Sequence, residues 1–213
     1  MEIAIFGTGN VGQRLGALLG RAGHRIVFGS RDPEASRARL TDAKGAQVAT
    51  YAAAAEASTV VIVAVPWAGG AALEALAAAG PLDGKLVIDC TNPLAPDWLS
   101  NTLGHTTSSA EEIARAVPGA RVVKAFNTIF AEIMVPGKQQ FGDLTATGFF
   151  CGDDPAAKRI VEQLIHDAGF APLDAGPLRN ARYLEPLAQL NIQLALVQGG
   201  GMNAAFAYLR RAD

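Results

Sequence analysis

Histidine and cysteine are scarce in this chain of 213 residues, three of one and two of the other, and their scarcity removes several chemistries at once. Cys90 and Cys151 stand 61 positions apart, in no metal or redox spacing, and read as small core residues rather than a disulfide. No Ser-His-Asp order, metal-ligand spacing or persuasive carboxylate pair is present. His24 falls between a predicted helix and the next strand, and His166 on a helix expected to face solvent. His105 follows Gly104 in a polar loop with nothing to fix it near a site. No cluster of Lys or Arg stands out and the net charge is −2, which argues against nucleic acid and against an anionic membrane surface as partners. No apolar run approaches the ~20 residues of a membrane span. The first predicted strand begins at residue 2, which leaves no room for a signal peptide. The expectation is a soluble cytoplasmic protein.

What is present begins at the first residues. Half of the chain is hydrophobic, enough for one sizeable core. Ile3–Phe6 is an apolar run that leads into Gly7-Thr8-Gly9-Asn10-Val11-Gly12 and then a helical segment. That order of strand, glycine turn and helix start is the form of a dinucleotide-binding unit. Gly7 lets the chain turn off the strand, Gly9 lets backbone approach a pyrophosphate, and Gly12 lets the helix pack on the strand. The helix N-terminus then offers unpaired N–H groups and partial positive charge.

Short β-branched runs alternate with Ala- and Leu-rich segments, the pattern of a doubly wound, mainly parallel sheet in a Rossmann-like α/β fold. Strands are predicted at Ile3–Phe6, Arg25–Gly29, Val60–Val65, Leu86–Cys90, Arg121–Ala125, Thr147–Cys151 and Ala171–Asp174. The first helix should run from Val11 to Ala22 and stop at Gly23. Ser108 to Glu112 reads as a capped helix start, and Asp154-Pro155 opens another. The organisation predicted is a nucleotide-binding unit over residues 1–178 and a helical segment over 179–213. In the latter, Tyr183–Val197 is apolar on nearly every face, Gly199-Gly200-Gly201 interrupts it, and a helix resumes over Met202–Arg210. Such a helix either docks on its own sheet or packs against a second copy in a homodimer.

The cofactor follows from the end of the second strand. An NAD site wants a carboxylate there, about 20 residues past the glycines. Ser30-Arg31 occupies that place. A hydroxyl and a guanidinium suit an adenosine 2′-phosphate, while Asp32 reads as the cap before Pro33. The reading is therefore NADP(H). Ligands of open parallel sheets lie beyond the strand carboxyl ends. There stand Val65-Pro66-Trp67, Thr91-Asn92-Pro93 and Asn127-Thr128-Ile129. Val65, Pro66, Asn92, Pro93 and Asn127 would surround the nicotinamide. Neither asparagine is an acid or base, so Asn127 is at most a substrate-positioning group. Lys124, near a strand end, either orients a substrate or neutralises a neighbouring carboxylate. A hydride donor correctly placed against a flavin-like acceptor needs little else.

With those residues in view, the chain resembles the NADPH-dependent coenzyme F420 reductases (deazaflavin:NADP oxidoreductases) along almost its whole length. FGTGNVG, FGSRDPE, VPW at 65–67, SSAEEIA, CGDDPAAK and DAGPLRNARYLEPL carry the likeness. KAFNTIFA at 124–131 is similar to the cytoplasmic NADPH:flavin reductase domain of the six-transmembrane ferric reductases. The resemblance implies a Rossmann domain with a short helical segment, direct hydride transfer between NADPH and a deazaflavin or a flavin (FAD or FMN), and a dimer. It implies glycine-loop and 2′-phosphate contacts at Thr8, Ser30 and Arg31. Archaeal members carry His where this chain has Asn127 and Lys where it has Ala35, with Arg37 the nearest replacement. Two other functions fit the same architecture. One is reduction of a small imine or carbonyl, as in pyrroline-carboxylate reductases, and the other is NADP sensing without catalysis.

Overall fold

Each strand of the central sheet is short, and the central ones are apolar on both faces because helices cover both sides. The computed structural model describes residues 1–43 and 46–211; the last two positions of the predicted 179–213 segment lie outside the described residues. In chain order the elements are β1 Glu2–Phe6, α1 Asn10–Arg21, β2 Arg25–Ser30, α2 Pro33–Arg39, β3 Gln47–Thr50, α3 Tyr51–Glu56, β4 Val60–Val63, α4 Ala71–Ala79 and β5 Leu86–Asp89. There follow α5 Ser109–Ala116, β6 Arg121–Ala125, the small hairpin β7 Gln140–Phe141 and β8 Leu144–Thr145, β9 Thr147–Gly152, α6 Pro155–Asp167, β10 Ala171–Asp174 and α7 Ala181–Ile192. A π-helical turn, Gln193–Val197, continues α7 without a break.

The main sheet runs β10-β9-β6-β5-β4-β1-β2-β3. β1 to β6 are parallel, β9 joins β6 antiparallel, and β10 runs parallel to β9. The order in which strands are added reverses between β1 and β4, which makes their carboxyl ends the natural crevice of this Rossmann-like fold. Alternation along β1 divides the core. Ile3 and Ile5 meet Leu15, Leu19 and Phe28 on one face, where α1 and α6 pack. Ala4 and Phe6 meet Tyr51, Val63 and Leu76 on the other, against α3 and α4. Each fully buried Leu or Phe side chain of this kind contributes about 1.5–3 kcal/mol.

The helix starts follow local chemistry. Asp32 Oδ1 accepts from the Ala35 N–H at 3.0 Å, Ser108 Oγ from Glu111 at 3.2 Å, and Asp154 Oδ1 from Ala157 at 2.6 Å. Gly23 ends α1 with φ +91°.

Several boundaries differ from the sequence expectations. β4 stops at Val63 and β5 at Asp89, because beyond them only one neighbour remains: Ala64 N–H bonds Phe6 O at 2.8 Å and Cys90 N–H bonds Val63 O at 3.1 Å. The edge strand β3 and the β7–β8 hairpin were not predicted. The helix expected over Met202–Arg210 is absent. Gly199 and Gly201 take φ +75° and +74°, and the chain returns against β9 without regular secondary structure. There Thr147 N–H bonds Phe206 O and Tyr208 N–H bonds Thr147 Oγ1, both at 2.9 Å. The helix expected over Tyr183–Val197 forms, as α7 and its π turn. Leu184, Ala188, Ile192 and Ala195 are buried, while Leu190, Leu194, Leu196 and Val197 are each about half exposed in the single chain.

Candidate functional site

The glycine turn is shaped by close approach of backbone to backbone. Gly7 adopts φ +113°, and a Cβ there would stand 2.6 Å from Ala64 O. A Cβ on Gly12 would stand 2.2 Å from Gly7 O. Gly9 is different: its φ of −77° is open to any residue, and a Cβ would meet nothing within 4 Å. No side chain caps α1, so its first N–H groups face the crevice without a protein partner. Gln13, which carries no signal in the sequence pattern, braces the turn from below. Its Nε2 donates to Thr8 O at 2.8 Å, and its Oε1 accepts from the Thr41 N–H at 2.7 Å.

At the end of β2 the side chains form a small hydroxyl cluster. Ser30 Oγ is 2.6 Å from Ser36 Oγ, and Thr8 Oγ1 donates to Ser36 Oγ at 3.4 Å. Ser36 was not foreseen, although it lies only one α2 turn past Asp32. Arg31 is exposed and makes no hydrogen bond or ion pair among the described residues. Arg37 is engaged elsewhere, donating to Val48 O at 3.3 Å.

Two adjoining cavities open at the carboxyl ends of β1, β4, β5 and β6. The first, of about 380 Å³, is walled by Gly9, Asn10 and Val11, by Val65, Pro66 and Trp67, and by Cys90 to Asn92. The second, of about 330 Å³, lies beside it under α7 and is walled by Phe126 to Glu132, Ala188, Asn191, Leu196 and Met202. Asn10, Val11, Cys90, Asn92, Leu94 and Trp98 belong to both. Pro93 lines neither; its carbonyl instead accepts from the Thr102 N–H and hydroxyl, holding the loop after β5.

Asn92 and Asn127 form a reciprocal pair between the cavities. Asn92 Nδ2 donates to Asn127 O and Asn127 Nδ2 to Asn92 Oδ1, both at 2.9 Å. Asn127 Nδ2 also donates to Leu184 O at 3.0 Å, tying the pair to α7. Two polar atoms in the second cavity's wall are left over: Asn127 Oδ1 and Thr128 Oγ1 are buried and have no partner. Leaving such atoms unpaired costs about 1–3 kcal/mol each. Phe126, just before them, is buried with φ +62°, and Trp98 has φ +64°. Bulky residues hold such angles at a cost of about 1–3 kcal/mol each, a form of strain that concentrates at functional sites.

Lys124 does not reach either cavity. It is fully buried, with Nζ 2.8 Å from Asp89 Oδ2 and 2.9 Å from Glu185 Oε1, and it also donates to Ser109 Oγ and Thr91 O. Of its two expected roles, the geometry gives it neutralisation. His24 is structural, its Nε2 2.9 Å from Asp167 Oδ2, and His166 points to solvent. His105 lines a separate surface pocket with Arg179, Arg182 and Tyr183. Among the described residues no group of three or more His, Cys, Asp or Glu could hold a metal, and no helix is long and apolar enough to cross a membrane.

Known proteins resemble this chain in sequence and in fold. The family described as "NADP oxidoreductase coenzyme F420-dependent" matches residues 2–93. The F420-dependent NADP reductase of Methanothermobacter marburgensis is 32% identical over 211 residues, covering 91% of this chain and 92% of the relative. Metalloreductase STEAP3 of Rattus norvegicus is 33% identical over 186 residues, covering 87% of this chain; the chain spans only 36% of that relative's length. Among solved structures, a candidate F420-dependent NADP reductase from Arthrobacter sp. FB24 superposes with a TM-score of 0.87 at 33% identity, covering 99% of this chain and 100% of that one. On this near full-length likeness, the chain belongs to the coenzyme F420-dependent NADP oxidoreductase family.

Proposed function

We propose that this protein moves a hydride between NADP(H), held in the first cavity, and a deazaflavin or flavin held in the second. The observation that carries the proposal is the pair of unpartnered buried atoms, Asn127 Oδ1 and Thr128 Oγ1, in the wall of a largely apolar cavity that adjoins the glycine turn. They suit the N–H and carbonyl groups along one edge of a flat heterocycle, and the apolar remainder suits its faces. The open space at Gly9 and the uncapped start of α1 support a pyrophosphate there. Thr8, Ser30 and Ser36 hydroxyls with the unpaired Arg31 guanidinium support a 2′-phosphate at the end of β2. Asp32 is already spent on capping α2.

The second cavity offers little proton chemistry. Glu132 stands 3.9 Å from Arg14, and burial pushes the Cys90 thiol well above its usual range. The residues would bind and align donor and acceptor and exclude water, which is what direct hydride transfer requires. Following NADPH oxidation with coenzyme F420, FAD and FMN in parallel tests the reading and separates the acceptors; no turnover with any of them would end it. In the same assay Arg31→Ala should raise the KM for NADPH by about tenfold or more, the worth of one charge-assisted phosphate contact. An unchanged KM would remove the 2′-phosphate assignment.

We further propose that residues 179–213 cover this site and form the contact between two copies. The half-exposed row Leu190, Leu194, Leu196 and Val197 is the supporting observation. Sedimentation should find a dimer that Leu194→Glu dissociates, and a monomeric unmodified chain would reject the contact.

A further inference from the structure

Asp89 at the end of β5, Lys124 in β6, Ser109 at the start of α5 and Glu185 in α7 meet in one buried cluster. Every oxygen of the two carboxylates is occupied. Asp89 Oδ1 accepts from the Thr91 N–H at 2.8 Å, Glu185 Oε2 from the Ser109 N–H at 3.2 Å, and Glu185 Oε1 from Ser109 Oγ at 2.6 Å. The charges do not balance, since two carboxylates face one ammonium. No other cation among the described residues makes an ion pair with Asp89 or Glu185. Arg182, one helical turn before Glu185, is committed to Glu111 at 2.6 and 2.9 Å.

This cluster stands one peptide beneath the first cavity. Asp89 and Lys124 bond the N–H and C=O of Thr91, and Thr91 and Cys90 line the wall. At Cys90 burial raises the thiol pKa most, and the Asp89 charge raises it more than Lys124 lowers it. With two carboxylates against one ammonium, the cluster places an excess negative charge behind that wall.

We infer that the Asp89–Lys124–Glu185 cluster biases the redox state of the bound nucleotide, favouring the cationic oxidised nicotinamide over the neutral reduced ring. The inference rests on the NADP reading above. In the forward step the C4–H bond of the dihydronicotinamide breaks and its electron pair leaves with the hydrogen to the deazaflavin or flavin. The acceptor gains two electrons, then takes a proton from solvent, and the nicotinamide ring is left with one positive charge. A fixed negative charge behind that ring interacts with the product ring and not with the neutral donor. A latch that only fastened α7 to the sheet would treat both redox forms alike.

The test compares dissociation constants of the full chain for NADP⁺, NADPH and 2′,5′-ADP, before and after Glu185→Gln and Asp89→Asn. Removing one carboxylate charge should weaken NADP⁺ by about five- to tenfold and NADPH by less than about twofold. Binding of 2′,5′-ADP, which lacks the nicotinamide, should stay unchanged in a folded variant. Equal losses for NADP⁺ and NADPH would overturn the inference. If one variant loses 2′,5′-ADP binding, the other decides by the same comparison. If both lose it the cluster is a folding latch and the redox role is withdrawn. Failure of the unmodified chain to bind any of the three would overturn the NADP reading itself, which is a separate result.

Discussion

Gly9→Ala should abolish most NADPH affinity while leaving the protein folded. The substituted Cβ meets no protein atom within 4 Å and the backbone needs no glycine angle. The only structural loss is a poorer helix N-cap, about 0.5–1 kcal/mol, or about 1–4 °C at this chain length. The same methyl would occupy the space through which backbone approaches a pyrophosphate, so NADPH should bind at least about tenfold more weakly. Gly12→Ala is the converse case. Its Cβ would fall 2.2 Å from Gly7 O and 3.1 Å from Gly7 C, backbone atoms that cannot turn aside. Displacing α1 from β1 should cost about 2–3 kcal/mol, a fall of about 5–10 °C, with nucleotide binding lost in proportion to folding. Thermal melts beside NADPH titrations check both. A Gly9→Ala protein that bound NADPH normally would refute the pyrophosphate assignment.

The second large effect is expected at Lys124. Lys124→Met leaves Asp89 and Glu185 facing each other at full burial, and a stranded buried charge typically costs about 3–5 kcal/mol. Adding Asp89→Asn to that variant removes one of the stranded charges and should recover part of the loss, because the two changes act on one network. Denaturant unfolding reads both; strict additivity of the two single losses would contradict the network. Burial pulls the Lys124 pKa down, but Asp89 and then Glu185 more than restore it, so the net direction is upward. A raised lysine contributes its stability fully below the free-lysine value and loses it only as pH climbs through the folded one. No loss from this group is therefore expected on the acidic side of its ordinary range near pH 10.4.

What could be read from the sequence was whatever local chemistry decides. The glycine turn, the Asp32-Pro33 and Asp154-Pro155 helix starts and the Ser108 cap each depend on neighbours within a few positions. The antiparallel pairing of β9 with β6 was not legible, since the alternation of runs is the same in either direction. β3 escaped because an edge strand of four residues buries only Val48 well. Lys124 was visible as a cation near a strand end, but its partners lie 35 and 61 positions away and only the fold brings them together. Met202–Arg210 has enough apolar content for a helix, yet two left-handed glycines and the grip of Thr147 decide otherwise. Asn191 enters the second cavity on α7, whose docking no short pattern records.

That docking sets an order of birth for the two cavities. The first is enclosed by residues no later than Trp98, while the second takes part of its wall from Leu196 and Met202. On a ribosome adding about 5–20 residues per second, the second cavity closes several seconds after the chain for the first has been made. On the proposed reading, a nascent chain would hold a place for the donor well before it held one for the acceptor, and the transfer reaction would be the last property the protein acquires.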